Sequence, residues 1–353
     1  MKGRTVALSL AVILSSLLLS FFFAEYFVRF FFPQDVSGSW RVQDTHGMWV
    51  NKTSGVAKHK FGKNIVEYRF GAHHNRITSV EDAFKSLTLE PILVIGDSFT
   101  FGWLLSDADT FIAKLAKKYP NYNFINAAAG GFGAADYLRF VESYCKKISP
   151  KKIFIFFTGT EYSRTLESSL YSLNQGALVR GRNDINRMKQ YANLLPYYSE
   201  LLENSHLLSL ARRVFLTELR RTNRLDLVPS LDRTELTKNT VVDQEAELVH
   251  LVLSELYVEL RKCSQNVYFF HLGVNDLKSE PYPMGSALNR LNLLYKEKIN
   301  FFDIGAQKFM KMYRASKEKY TIPYDGHPNA AGSELIYSAL VEIIEEHGIL
   351  NEN

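Results

Sequence analysis

The run Ile92 to Ile95, broken at once by Gly96-Asp97-Ser98, constrains the fold of this chain more than any other stretch. Branched apolar residues without alternation fit a strand buried on both faces, as in a parallel sheet covered by helices. Ser98 then falls just past the carboxyl end of a central strand, where open α/β sheets place ligands and chemistry. Between Ser106 and Tyr119 the residues Phe111, Leu115 and Ala116 recur at helical spacing, which puts the serine on a strand-to-helix turn. Backbone N–H groups at such a helix start lack intrahelical partners and favour developing negative charge.

The same rhythm returns down the chain. Asn123 to Ile125 reads as a second strand, Ile153 to Phe157 as a third, Val267 to Leu272 as a fourth and Asn300 to Ile304 as a fifth. Helical patterns cover Val241 to Arg261, Tyr282 to Lys298 and Asn329 to His347. Residues 162–240 break the rhythm; with apolar periodicity in Leu207 to Leu219, they read as a helical insertion capping the strand ends. Gln34 to Leu87 lacks strong periodicity and reads as a juxtamembrane segment with short strands leading into the sheet, with His73 and His74 as surface residues.

At the N-terminus an uncharged run from Thr5 to Ala24 is long enough to cross a hydrocarbon core of ~30 Å as a helix. Lys2 and Arg4 precede it and hold the amino end in the cytoplasm by the positive-inside rule. The bulky residues from Phe21 to Tyr26 offer no small-x-small cleavage site, so the segment reads as a single-pass anchor that leaves the remainder outside the cytoplasm. The layout expected is an anchor over residues 1–32, a juxtamembrane segment over 33–90 and an α/β domain over 91–350 with the insertion at about 162–240. A net charge of +5 on 353 residues is modest, which gives nucleic-acid binding little support. The cluster Arg212, Arg213, Arg220, Arg221 and Arg224 reads as a solvated helix face, with anionic substrate or lipid headgroups as the minority reading. Cys145 and Cys263 stand either as a disulfide or as two unpaired thiols. No His, Cys and Asp cluster has metal-ligand spacing, and no Gly-x-Gly-x-x-Gly follows the second strand, so neither a metal nor a nucleotide cofactor is expected.

A serine hydroxyl needs a base to remove its proton, usually a histidine oriented by a carboxylate. Near the C-terminus Asp325 and His327 stand two residues apart in a loop before a helix, so their side chains face the same way. Thr100 occupies the place of the second glycine of a Gly-x-Ser-x-Gly elbow, which excludes an ordinary α/β-hydrolase turn.

These blocks resemble the SGNH/GDSL hydrolase superfamily over roughly Pro91 to His347. The resemblance implies a flavodoxin-like α/β three-layer sandwich, a mainly parallel five-stranded sheet in the order 2-1-3-4-5, and hydrolysis of acyl esters. It makes Ser98 the nucleophile, His327 the base and Asp325 its orienting acid. The N–H groups of Ser98 and of Gly131, five residues after Asn126, would form the oxyanion hole. Two departures stand out. Where the family has Gly-x-Asn-Asp this chain has Thr158-Gly159-Thr160-Glu161, leaving Thr160 as the third donor, and Asp-x-His replaces Asp-x-x-His. A literal Gly273-Val274-Asn275-Asp276 follows the fourth strand and reads as a turn. His271 reads as a buried core histidine. The expected activity is hydrolysis of acyl, O-acetyl above all, esters of an acylated small molecule, envelope glycan or lipid, by a protein held to the bilayer through its N-terminal helix. O-acetyl transfer to an envelope polysaccharide, and a degenerate fold that only binds glycan or an assembly partner, are the alternatives.

Overall fold

Strand β1 (Glu90–Ile95) pairs in parallel with a strand on each side, and Ile92, Leu93, Val94 and Ile95 are all fully buried. Its neighbours are β2 (Tyr122–Asn126) and β3 (Lys152–Phe157). Beyond β3 lie β4 (Asn266–His271) and β5 (Asn300–Asp303), so the parallel strands run in the order β2-β1-β3-β4-β5. The computed structural model describes residues 2–37, 40–77, 89–168, 170–181, 201, 204–221, 238–274, 283–295 and 299–350. The chain divides into a larger unit, Trp40–Ala57, Glu67–Lys189 and Leu231–Asn353, which holds this sheet, and a smaller one, Met1–Ser39, Lys58–Val66 and Gln190–Ser230.

Successive strand residues point to opposite faces, and the strands use that period to build two cores. Leu93, Ile95, Ile153, Ile155, Phe157 and Phe269 join one core, with helices α2 (Ala134–Ile148) and α3 (Lys238–Cys263) packed on it. Ile92, Val94, Phe154, Phe156 and Phe270 join the other, under α1 (Phe111–Lys118) and α4 (Ala330–Glu346). Each such side chain taken fully out of water contributes about 1.5–3 kcal/mol, which fixes the register because a one-residue slip would exchange every residue between the two cores.

On the outer edge of β2 the sheet continues antiparallel. Asn75–Ile77 meets β2 through Arg76 and Asn126, and Asn64–Gly71 meets that strand through Phe70 and Arg76. These additions extend the expected five strands; each strand is too short or too half-exposed to show a strong sequence period. Arg76 is fully buried, donating to the carbonyls of Phe101, Gly102 and Leu105 and pairing with Asp107 at 2.9 Å.

The segment expected to be a helical insertion is mixed. After the helix Glu161–Ser168 comes a β-hairpin, Tyr171–Asn174 paired with Ala177–Arg180, a correction to the helical reading there. Residues 182–200 and 222–237, and with them Arg224 and much of the expected cap, lie outside the described residues. Cys145 and Cys263, near the ends of the packed helices α2 and α3, are free thiols; their mutual hydrogen bond is the first cause that pushes the Cys145 thiol up.

In the smaller unit the N-terminal helix Lys2–Phe31 contains a stretch, Leu8–Phe31, long and apolar enough to cross a membrane. Near its C-terminal end the Glu25 carboxylate accepts from Ser205 Oγ at 2.8 Å and from the N–H groups of His206 at 3.0 Å and Leu207 at 2.9 Å, which caps the helix His206–Arg221. Arg29 donates to Glu25 at 2.9 Å and to the Asn204 carbonyl at 2.8 Å. Arg212 and Arg213 are exposed on that helix.

Arg76 gives the fold its sharpest test. Arg76→Met keeps the apolar stem but strips buried carbonyls and Asp107 of their donor, so unfolding in urea should show a loss of about 3–5 kcal/mol.

Candidate active site

The serine is fixed by the residue before it. Asp97 caps the short helical turn Ser98–Phe101: its Oδ1 accepts the Phe99 N–H at 2.9 Å, and its carbonyl accepts the Phe101 N–H at 2.9 Å. The turn therefore begins at Ser98 itself, ahead of the helix expected from Ser106, and Ser98 is 3% exposed. A Cβ on Gly96 would overlap the Thr100 side chain, which accounts for glycine at the end of β1.

Asp97 is wholly buried, and a buried carboxylate needs partners. Its second oxygen takes a hydrogen bond from Arg164 Nη1 at 2.8 Å and lies 3.1 Å from Thr158 Oγ1. Thr158 Oγ1 also lies 3.0 Å from Glu161 Oε1. One hydroxyl hydrogen serves only one of these carboxyl groups; a proton on Glu161 serves the other contact. Burial, and then the charge of Asp97, push the Glu161 carboxyl up to about 7. The N–H groups of Thr158 and Gly159 also donate to it, at 3.0 and 2.9 Å. The Thr158-Gly159-Thr160-Glu161 turn is thus folded around its own glutamate. Thr160 Oγ1 lies 3.2 Å from Thr158 Oγ1.

His327 reaches the serine from the far end of the sequence. Its Nε2 is 2.7 Å from Ser98 Oγ and its Nδ1 is 2.6 Å from Asp325 Oδ1. A carboxylate can only accept, so Nδ1 carries the proton and Nε2 is left to accept from Ser98. The loop holding the pair is tightly tied: the Ile322 N–H donates to the His327 carbonyl at 2.8 Å, and Asn329 caps α4 through the Gly332 N–H at 2.9 Å. The imidazole lies against Trp103, centroids 5.5 Å apart, and Phe99, 5.2 Å apart.

The loop after β2 completes the site. Gly131 has φ of 78°, in the left-handed region that favours glycine. The hairpin Arg41–Gln43 with Trp49–Asn51 holds this loop by its carbonyls: Arg41 Nη1 donates to Gly130 O at 2.5 Å and Asn51 Nδ2 to Ala128 O at 3.0 Å. In a trans peptide the C=O and N–H point opposite ways, so an arginine on the Gly130 carbonyl turns the Gly131 N–H away from itself. Among the described residues no hydrogen bond engages the N–H groups of Gly131 or Ser98.

Ser98, His327 and Asp325 are thus brought into one hydrogen-bonded line, with Gly131 on the loop after the neighbouring strand. His271 stands apart from that line, its Nδ1 3.5 Å from Asp303 Oδ1 at the end of β5. Of the alternative motif Gly273-Val274-Asn275-Asp276, the last two residues lie outside the described residues. Sequence reasoning missed Arg41, Asn51, Arg164 and the folding role of Glu161, none of which carries a spacing signal.

No family model and no curated protein matches the chain. Solved structures similar to it include the psychrotrophic esterase EstA from Pseudoalteromonas sp., at 13% identity and a TM-score of 0.40 over 73% of this chain and 98% of that one. They include a member of the lipolytic protein G-D-S-L family from Veillonella parvula, at 12% identity and 0.38 over 72% and 98%. A catalytic mutant of the acetylxylan esterase Axe2 from Geobacillus stearothermophilus is similar at 14% and 0.39 over 76% and 97%. Identities and TM-scores this low do not transfer a function, so the chemistry rests on the geometry of the site.

Glu161 supplies a pH test. Its carboxyl is raised from an ordinary value of 4.5 to about 7, so the folded state holds an extra proton between those values. Its contribution to stability is complete below about pH 4.5 and is lost as pH rises through about 7. Urea midpoints of the wild type should therefore fall across that window relative to those of Glu161→Gln, by at most about 1.4 kcal/mol per pH unit.

Proposed function

We propose that this chain is a serine esterase held to a membrane by its N-terminal helix, with its larger unit outside the cytoplasm. The observation that carries the reading is the line Ser98 Oγ, His327 Nε2, His327 Nδ1, Asp325 Oδ1, with contacts of 2.7 and 2.6 Å. Lys2 and Arg4 before the apolar stretch support the orientation of the anchor.

In this reading His327 takes the proton of Ser98 as Oγ attacks the acyl carbonyl. The tetrahedral oxyanion forms against the N–H groups of Ser98 and Gly131, with Thr160 as a third donor. His327 then passes its proton to the leaving alkoxide, and water, activated by the same imidazole, releases the acid and restores the serine. Asp325 keeps the proton on Nδ1 and steadies the imidazolium. Arg41 acts through the Gly130 peptide: by holding its oxygen it holds the direction of the Gly131 N–H. Asp97, Arg164 and Glu161 keep the serine turn rigid beneath the reacting atoms. The acyl group expected is small, O-acetyl above all, on an envelope glycan or lipid.

Labelling of the full-length protein with a fluorophosphonate tests the reading. A single adduct on Ser98, absent from Ser98→Ala and His327→Ala, is the expected result, with hydrolysis of aryl acetates lower by about 10⁴-fold or more in Ser98→Ala. No adduct on a folded wild type would leave the fold as a binding or assembly protein. Preferential delivery of the acyl group to an added sugar would make it a transferase.

Arg41→Ala separates orientation from binding. Its kcat on an aryl acetate should fall by roughly tenfold or more while KM moves little, because the donor it aims acts on the oxyanion and not on the bound ester.

A further inference from the structure

Between the second core and the catalytic histidine the chain makes a tight turn, Ile322-Pro323-Tyr324-Asp325, closed by the Asp325 N–H donating to the Ile322 carbonyl at 3.2 Å. Proline at the second position with a positive φ at the third is a pattern that ordinarily has glycine or asparagine third. Here the third residue is Tyr324, at φ of 65°. A bulky side chain in the left-handed region is strained. The fold gains nothing for that strain from packing, since Tyr324 is 83% exposed. Glycine is used freely two residues on, where Gly326 has φ of 90°. A strained residue whose side chain does not pack points to function.

The position says which function. Tyr324 directly precedes Asp325, whose carboxylate holds His327 against Ser98. Tyr324 is therefore one peptide bond from the residue that holds the histidine, with an exposed ring flanked in the chain by an exposed Pro323 and, two residues on, an exposed Gly326. We propose that Tyr324 is the stacking floor of a sugar subsite: the phenol ring lies against the C–H face of a pyranose and presents an acetylated hydroxyl of the oligosaccharide to Ser98. This deepens the esterase reading and rests on it. An acyl chain or lipid tail would call for a groove of several apolar side chains. A pyranose needs one flat aromatic face with polar groups around it, and a tyrosine has an apolar body and a polar tip.

The test measures binding apart from catalysis. Full-length protein in detergent, carrying Ser98→Ala, is titrated with xylohexaose, cellohexaose and chitohexaose and their acetylated forms, alone and with Tyr324→Gly, Tyr324→Asn, Tyr324→Phe or Tyr324→Trp. The expected result is measurable binding of at least one of them, weakened tenfold or more by the Gly and Asn changes and less than threefold by Phe and Trp. The Gly and Asn proteins should also unfold at higher urea, because both residues suit the turn. In the Ser98 enzyme the ratio of kcat/KM on the acetylated oligosaccharide to that on an aryl acetate should fall at least tenfold for Gly and Asn.

No binding of any hexasaccharide, equal binding by all variants, or a Phe protein as weak as the Gly protein overturns the subsite. So does a lower urea midpoint for Tyr324→Gly, which would make the ring a structural support. A wild type that hydrolyses no ester and takes no label at Ser98 overturns the esterase reading instead, and the hexasaccharide titration still decides the subsite.

Discussion

A buried carboxylate at the end of the central strand sets the terms for everything around it. Asp97 has no access to water, and its oxygens are met by the Phe99 N–H, the Arg164 guanidinium and the Thr158 hydroxyl. Removing Arg164 would leave this charge without its counter-ion in a region of low dielectric, and removing either neutral donor would leave one of its oxygens short of a hydrogen bond. The requirement ties three strand ends together: β1 brings the aspartate and serine, β3 leads into Thr158 and Arg164, and the loop after β2 lends the Phe132 carbonyl to the same arginine at 3.3 Å. The serine inherits its position from this arrangement, being the residue between a fixed cap and a fixed turn.

That dependence explains the turn at Thr158-Gly159-Thr160-Glu161. A carboxyl folded back on its own backbone N–H groups closes the end of β3 from within, and the proton it holds lets two carboxyl groups share one threonine hydroxyl. Tyr137 from α2 adds its hydroxyl at 3.3 Å, so the helix layer is tied to the same cluster. The turn at Ser98 thus stands on a polar network at the ends of strands whose apolar residues are fully buried.

Much of this was open to reading from residues alone. Strands β1, β3 and β4 are legible because runs such as Ile153 to Phe157, buried on both faces, have few other uses. That Ser98, Asp325 and His327 could meet is legible because a serine just past a buried strand and an Asp-x-His pair before a helix both stand out in a sequence, and the structure joins them in one hydrogen-bonded line. The supporting residues have none. Arg41 meets Gly130 across 89 positions, and Arg164 meets Asp97 across 67. An arginine that will be buried looks in sequence like one that will be solvated, because partners from distant strands decide which it becomes. The hairpin at Tyr171 to Arg180 was hidden for a related reason: short, half-exposed strands carry too few apolar positions to set a period.

The hairpin of Arg41 and Asn51 bears on where this protein begins as a working part. Seen along the chain it belongs to the stretch between the N-terminal apolar helix and the parallel strands, and would pass for a tether. Its side chains nevertheless grip the backbone of the loop that carries Gly131, and further along the same stretch Arg76 plugs the carbonyls behind the serine turn. A chain shortened to start at β1 would keep every residue of the Ser98, His327 and Asp325 line and lose the parts that hold its surroundings in register. The smallest piece that can behave as the whole therefore opens no later than Trp40, so the stretch from Trp40 to β1 is machinery and not rope.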